Sequence, residues 1–133
     1  HESPRRKLDF VTAQLARAAA RGEKITVGNL DARVDWGFAG DYVRAMRAMV
    51  RAEKADDYVI SSGELHTVRD FAQIAYDHVG LHHENYVTVD PALYKPVSRV
   101  PYFGDNTKIL TLGWQPTTPF KELVTMMVDG YRQ

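Results

Sequence analysis

Four stripes of apolar residues at three- and four-residue spacing alternate along this chain with short runs rich in β-branched residues. That alternation restricts the chain to an α/β arrangement, because each helix must bury its stripe against a sheet or another helix. Leu8, Val11, Leu15, Ala18 and Ala19 predict a helix over Leu8 to Arg21, stopped by Gly22, with Arg17 and Arg21 near the end that favours cations. Tyr42, Val43, Met46, Met49 and Val50 predict a second helix, from near Asp41 to near Lys54. A third runs from Val68 to Val79, with Thr67 to Asp70 as a capping box and Gly80 as the stop. The last has Thr118 as its expected N-cap, Pro119 at the first helical position and the stripe Phe120, Leu123, Val124, Met127, Val128, Tyr131.

Ile25-Thr26-Val27, Asp57 to Ser61 and Tyr86 to Val89 read as strands, the second of them buried. Pro91, Pro96 and Pro101 hold an extended passage, unable to be helical inside, that suits a loop closing over a site. Asn106 to Leu112 has room for one or two helical turns before Gly113. With no repeat, low-complexity tract or linker, residues 1–133 are expected to form a single α/β unit. The chain starts at His1 in a polar run, which is expected of a fragment or a processed chain.

The stretch Gly28 to Gly37, between the first strand and the second helix, is where ligand chemistry is expected. A strand-to-helix turn in an α/β fold offers backbone donors and side chains to a ligand. Equal numbers of basic and acidic residues, 17 of each, remove the electrostatic basis for non-specific nucleic-acid binding. The absence of cysteine excludes a disulfide scaffold, a thiolate metal site and a cysteine nucleophile, and fits a cytoplasmic setting. No apolar run approaches the ~20 residues of a membrane span, so no membrane partner is expected.

Other motifs carry two readings. Arg5-Arg6-Lys7 offers three cations to a phosphate, or is a solvated basic turn. Gly37-Phe38-Ala39-Gly40 lacks the third glycine of a phosphate loop and reads as a turn. His82-His83-Glu84 reads as a solvated loop, since adjacent residues point in different directions, and no metal site is expected. Met126-Met127 and the helically spaced aromatic residues read as core. None of the seven tyrosines is followed four residues later by lysine, and no Gly-x-Ser-x-Gly is present, so no catalytic set is assigned to this chain.

His1-Glu2-Ser3-Pro4-Arg5-Arg6, Phe10-Val11-Thr12, Gly28-Asn29-Leu30-Asp31-Ala32, Asp35-Trp36-Gly37, Ser62-Gly63-Glu64, His66-Thr67-Val68-Arg69 and Leu112-Gly113-Trp114-Gln115-Pro116 occur in that order. In this the chain resembles the C-terminal portion of GDP-mannose 4,6-dehydratases, which are extended Rossmann-type short-chain dehydrogenase/reductases. The resemblance implies a parent whose N-terminal region holds NADP and a Thr/Glu/Tyr/Lys catalytic set, while this portion closes the nucleotide-sugar site. It implies cofactor contacts at His1 and Arg6 and substrate contacts at Val11 and Leu30, with a GDP-sugar as the partner. In such enzymes hydride leaves C4 of the sugar, water is lost across C5 and C6, and hydride returns to C6.

Against the family pattern, this chain has Gln14 for a lysine, Val34 for an arginine, Phe38 for a histidine, and Lys95-Pro96-Val97-Ser98 for Arg-Pro-x-Glu. Arg33 stands one position before the missing arginine and replaces it if the turn shifts; Lys95 keeps the charge but not the bidentate fork. Charge-assisted hydrogen bonds contribute about 1.5–3 kcal/mol each, so GDP-sugar binding is expected to be weakened. The competing expectation is a stand-alone, non-catalytic ligand-binding or interaction module derived from the family. Apolar faces left uncovered in a fragment also lead to an expectation of homo-oligomers.

Overall fold

The computed structural model describes residues 1–94 and 103–132. Its elements are α1 (Val11–Arg21), β1 (Ile25–Val27), β2 (Arg33–Val34), α2 (Ala39–Val50), β3 (His66–Thr67), α3 (Val68–His78), β4 (Val87–Val89), α4 (Thr107–Leu110) and α5 (Phe120–Asp129). Single 3₁₀ turns lie at His83–Asn85 and Pro91–Leu93.

Helices α1, α3 and α5 pack on one another because each carries an apolar stripe wide enough to be buried. Leu15, Phe71, Tyr76, Leu123, Val124, Met127 and Val128 are fully buried at their centre, each contributing on the order of 1.5–3 kcal/mol of transfer free energy. α1 starts at Val11 rather than Leu8, because Phe10 is extended (φ −102°, ψ 138°) and serves as N-cap. The Phe10 ring lies 3.4 Å from the Arg6 guanidinium carbon. Gly22 ends α1 with φ 65°, and the Thr67–Asp70 capping box closes reciprocally at the start of α3.

β1 and β4 pair in parallel, Ile25 with Val87 and Val27 with Val89, across a connection that contains α3. β2 and β3 pair antiparallel, Arg33 with Thr67 and Val34 with His66. A smaller core joins Ala45 of α2 to Ile109 and Trp114.

Four expectations are corrected. Asp57 to Ser61 forms no strand: no ladder partner lies beside it among the described residues, and Val59 is 52% exposed. The apolar stripe of α2 faces largely outward, with only Asp41 and Ala45 buried and Val43, Met46 and Val50 exposed. The N-cap of α5 is Pro119, not Thr118, because Pro119 is still extended (φ −60°, ψ 149°) and the helix starts only at Phe120. Finally, Pro91 opens a 3₁₀ turn, which its fixed φ permits at a first helical position, and the Asp90 carboxylate caps the Ala92 N–H at 2.8 Å. The rest of the proline-bounded passage, including Lys95 and Ser98, lies outside the described residues.

Candidate functional site

Parallel strands leave their carboxyl ends open, and the end of β1 runs directly into Gly28. A cleft of about 380 Å³ lies there. Asp9, Val11 and Gln14 form one side, from the start of α1; Thr26, Val27, Gly28, Asn29 and Ala32 form the floor; Val68 of α3 and Leu93 close it. Gly28 is required by close approach. A Cβ there would meet the Leu93 carbonyl oxygen at 2.2 Å, so any side chain would push the Pro91–Leu93 turn off the cleft.

The polar groups of the cleft are already oriented. The Gln14 amide nitrogen donates to the Leu8 carbonyl at 2.7 Å, and the Asn29 amide oxygen accepts the Asp31 N–H at 2.8 Å. Asp31 in turn pairs with Arg69 at 2.9 Å, which ties the loop to α3. Asp9 is the only charged residue among those that line the cleft in the described structure.

Of the residues expected to meet substrate, Val11 lines this cleft. Leu30 is 7% exposed and joins the core behind it, its carbonyl accepting the Arg69 N–H at 2.9 Å. Arg33 is exposed on β2 and does not line the cleft; Lys95 is outside the described residues. Asp9, Asn29, Val68 and Leu93 were not singled out by the sequence as site residues. Only Asn29 carried a signal, as the Asn of a Gly-Asn strand terminus.

The residues expected to meet cofactor lie in a loop that is fixed at its root. The Glu2 N–H donates to the Gly37 carbonyl and the Ala39 N–H to the Glu2 carbonyl, both at 2.8 Å, pinning the loop to the start of α2. The Glu2 carboxylate is buried, accepts the Thr12 hydroxyl at 2.7 Å and stands 3.5 Å from Arg6 Nε. Arg6 Nε is buried with no hydrogen-bond partner. His1 is exposed, its ring 5.6 Å from that of Tyr42. Burial, with the charges of Asp35, Asp41 and Glu2, pushes the Tyr42 hydroxyl up to about 12.

Among the described residues no group of three His, Asp or Glu side chains could hold a metal ion, and His83 and Glu84 sit in a 3₁₀ turn with no buried residue. A second cleft, about 260 Å³, lies beside Trp36, Ser62, His66 and Phe120, where the His66 ring stacks on Phe120 at 3.7 Å. No helix among the described residues is long and apolar enough to cross a membrane.

The family model described as GDP-mannose 4,6 dehydratase matches residues 1–127. This chain belongs to that family. Among curated dehydratases, it is 44% identical over 135 residues to GDP-mannose 4,6 dehydratase 2 of Arabidopsis thaliana, covering 97% of this chain and 36% of the relative. The GDP-mannose 4,6 dehydratase of Homo sapiens is 39% identical over 153 residues, covering 98% and 41%. The chain thus spans less than half the length of these dehydratases. In fold it matches RMD from Pseudomonas aeruginosa, solved in complex with NADPH, with a TM-score of 0.87 at 20% identity, covering 98% of this chain and 45% of that one. The architecture is that of part of a Rossmann-type short-chain dehydrogenase/reductase, as the resemblance implied; the alternation of helices and strands pointed to the α/β class alone.

Proposed function

We propose that this chain forms the nucleotide-sugar wall of a GDP-mannose 4,6-dehydratase, a lyase, and acts as one unit with a separate cofactor-binding portion. The observation that carries this reading is the cleft beyond the carboxyl ends of β1 and β4, built on Val11 and Gly28 within the stretch matched by the family model. Its apolar sides, Val11, Val27 and Val68, suit a planar ring.

Arg6 fits an anionic group of the cofactor NADP. Its guanidinium is steadied by the Phe10 ring and Glu2, and its side chain stays one-quarter exposed. His1, exposed beside Tyr42, adds a second contact. When bound, NADP supplies reversible hydride transfer, so that C4 of the sugar is oxidised, water is lost across C5 and C6, and C6 is reduced. This chain contributes binding and orientation to that sequence, since the sequence holds neither a Tyr-x-x-x-Lys nor a glycine-rich dinucleotide motif. A cysteine-free chain of this kind is assigned to the cytoplasm, and the exposed apolar face of α2 supports self-association.

Titration of the labelled chain with GDP-mannose, followed by amide NMR, tests the binding role. Shifts are expected at Val11, Gly28, Ala32 and Val68, and a spectrum unchanged at saturating ligand would remove the proposal. Turnover by this chain alone, with NADP and GDP-mannose supplied, would contradict the division of labour.

A further inference from the structure

We infer that Asp31 is a positioning residue for the cleft, and that its ion pair with Arg69 is a strap that raises the affinity for a nucleotide sugar. This inference rests on the nucleotide-sugar reading of the cleft and adds to it a pair of residues that do not line it.

Asp31 lies outside the cleft lining, yet both of its polar ends act on residues within it. Its N–H donates to the Asn29 amide oxygen at 2.8 Å, which holds the Asn29 side chain on the floor. Its carboxylate accepts an Arg69 guanidinium N–H at 2.9 Å, and Arg69 directly follows Val68, which closes the cleft from α3. Backbone bonds already zip the next segment to the start of α3. Arg33 and Val34 pair with Thr67 and His66, the Val68 N–H donates to the Ala32 carbonyl at 3.2 Å, and the Arg69 N–H donates to the Leu30 carbonyl at 2.9 Å. That zipper ends at Leu30, so Gly28 and Asn29 lie beyond it. Among the described residues, Asp31 to Arg69 is the only side-chain hydrogen bond from residues 28–32 to α3. The pair is exposed, 78% at Asp31 and 48% at Arg69, so it adds little to the stability of the fold. Its effect falls on the floor of the cleft, because a loop held in its binding geometry before the ligand arrives has less ordering left to lose. Charge alone acts differently. A carboxylate next to a site for an anionic ligand opposes binding and a guanidinium favours it, whereas the two halves of a strap act in the same direction.

Calorimetric titration of this chain with GDP-mannose, alongside thermal unfolding, tests the strap. Asp31→Ala and Arg69→Ala are each expected to weaken binding about three- to tenfold, with the melting temperature unchanged. The double substitution should bind no more weakly than either single one, and the exchanged pair, Asp31→Arg with Arg69→Asp, should recover most of the loss. A pure charge effect would instead make Asp31→Ala bind more tightly than the unaltered chain, and that result overturns the inference. Single losses that add in the double variant, or an exchanged pair that recovers nothing, overturn it as well. So does a melting temperature that falls in step with affinity, which would make the pair a support of the fold. If the unaltered chain binds GDP-mannose and the variants bind it equally well, only this inference fails. If the unaltered chain binds no GDP-mannose, the nucleotide-sugar reading of the cleft fails and the strap with it.

Discussion

The carboxylate of Asp41, in the first turn of α2, accepts the backbone N–H of Thr118 at 2.9 Å. It also accepts the N–H and hydroxyl of Thr117 and the Arg44 guanidinium, while the Asp41 carbonyl accepts the Trp114 indole N–H at 2.9 Å. One residue 3% exposed thus fixes α2 to the segment that starts α5. Asp41→Asn keeps the shape but loses the charge and half the acceptor capacity, leaving buried N–H groups unpaired. It is expected to cost roughly 2–4 kcal/mol, read from urea unfolding.

The same carboxylate sets an acid limit. Burial alone raises its pKa, but the bonds from Arg44, Thr118 and Thr117 outweigh burial and hold the group below its usual 3.8. Asp70, in the capping box of α3, is lowered in the same way: burial raises it, and the Thr67 backbone and hydroxyl outweigh that. A depressed folded-state pKa contributes stability that is present above the unfolded value and is lost as pH falls through the folded one. The unfolding free energy is therefore expected to drop on acidification below about pH 4. That dependence should be shallower in Asp41→Asn; an identical slope in the two proteins would show that other carboxylates dominate.

Gly28 and Leu93 are related by approach rather than by bonding. With the Leu93 carbonyl oxygen 2.2 Å from where a Cβ would stand, Gly28→Ala must displace backbone, not the flexible end of a side chain. The expected cost is about 1–3 kcal/mol. A selective effect on ligand binding is expected as well, because the displaced Pro91–Leu93 turn closes the cleft. A Gly22→Ala control, strained by its φ of 65° but remote from the cleft lining, should lower the melting temperature without touching binding.

Local signals in the sequence agree with the packing adopted by the body of α1 and by α3, through apolar period and glycine stops and, at α3, the capping box, and by β1 and β4, through their β-branched residues. They failed where the outcome depends on a partner distant in the chain. Asp57 to Ser61 has strand composition, but a strand exists only with a neighbour, and none pairs with it among the described residues. Thr118 has a capping side chain, yet Pro119 after it stays extended in a segment whose Thr117 and Thr118 N–H groups are held by Asp41, more than 70 positions earlier, and the helix starts only at Phe120. The cleft was half legible. The Gly-Asn terminus of β1 marked its floor and the family pattern marked Val11, but Leu93 and Val68 reach it only through the β1–β4 pairing and the packing of α3 on α1. Leu30 illustrates the converse. Leu30 places its side chain in the core while Gly28, Asn29 and Ala32, in the same stretch, line the cleft.

Thr12 and Glu2 make the loop at the chain start a folded part of the molecule. The Thr12 hydroxyl donates to the buried Glu2 carboxylate at 2.7 Å, and the Arg6 guanidinium is steadied by the same carboxylate. Thr12→Val removes the donor without changing volume and leaves an underpaired buried charge, at an expected cost of about 1–3 kcal/mol. Because the loop also holds His1 and Arg6, faster amide exchange at residues 2–6 should accompany the loss. Unchanged exchange there would show that the pairing with Gly37 and Ala39 anchors the loop alone.

Val43, Met46 and Val50 recur on one exposed face of α2, at 62%, 50% and 87% exposure, and Val59, at 52%, lies in the unpaired segment that follows. Burying such a face stabilises by about 25 cal/mol per Å², so exposed apolar side chains grouped on one helix favour association. Arg47 and Arg51 flank the stripe and form no ion pair among the described residues, which opposes the approach of an identical face. These two effects have opposite salt dependence. Screening weakens the repulsion between like-charged faces while leaving the apolar attraction in place. Sedimentation velocity is therefore expected to show little association at low ionic strength and more as salt rises. Met46→Asp should abolish the salt-induced species, because it breaks the apolar stripe. Association that instead weakens with salt, or persists in Met46→Asp, would assign it to a different, charge-paired surface.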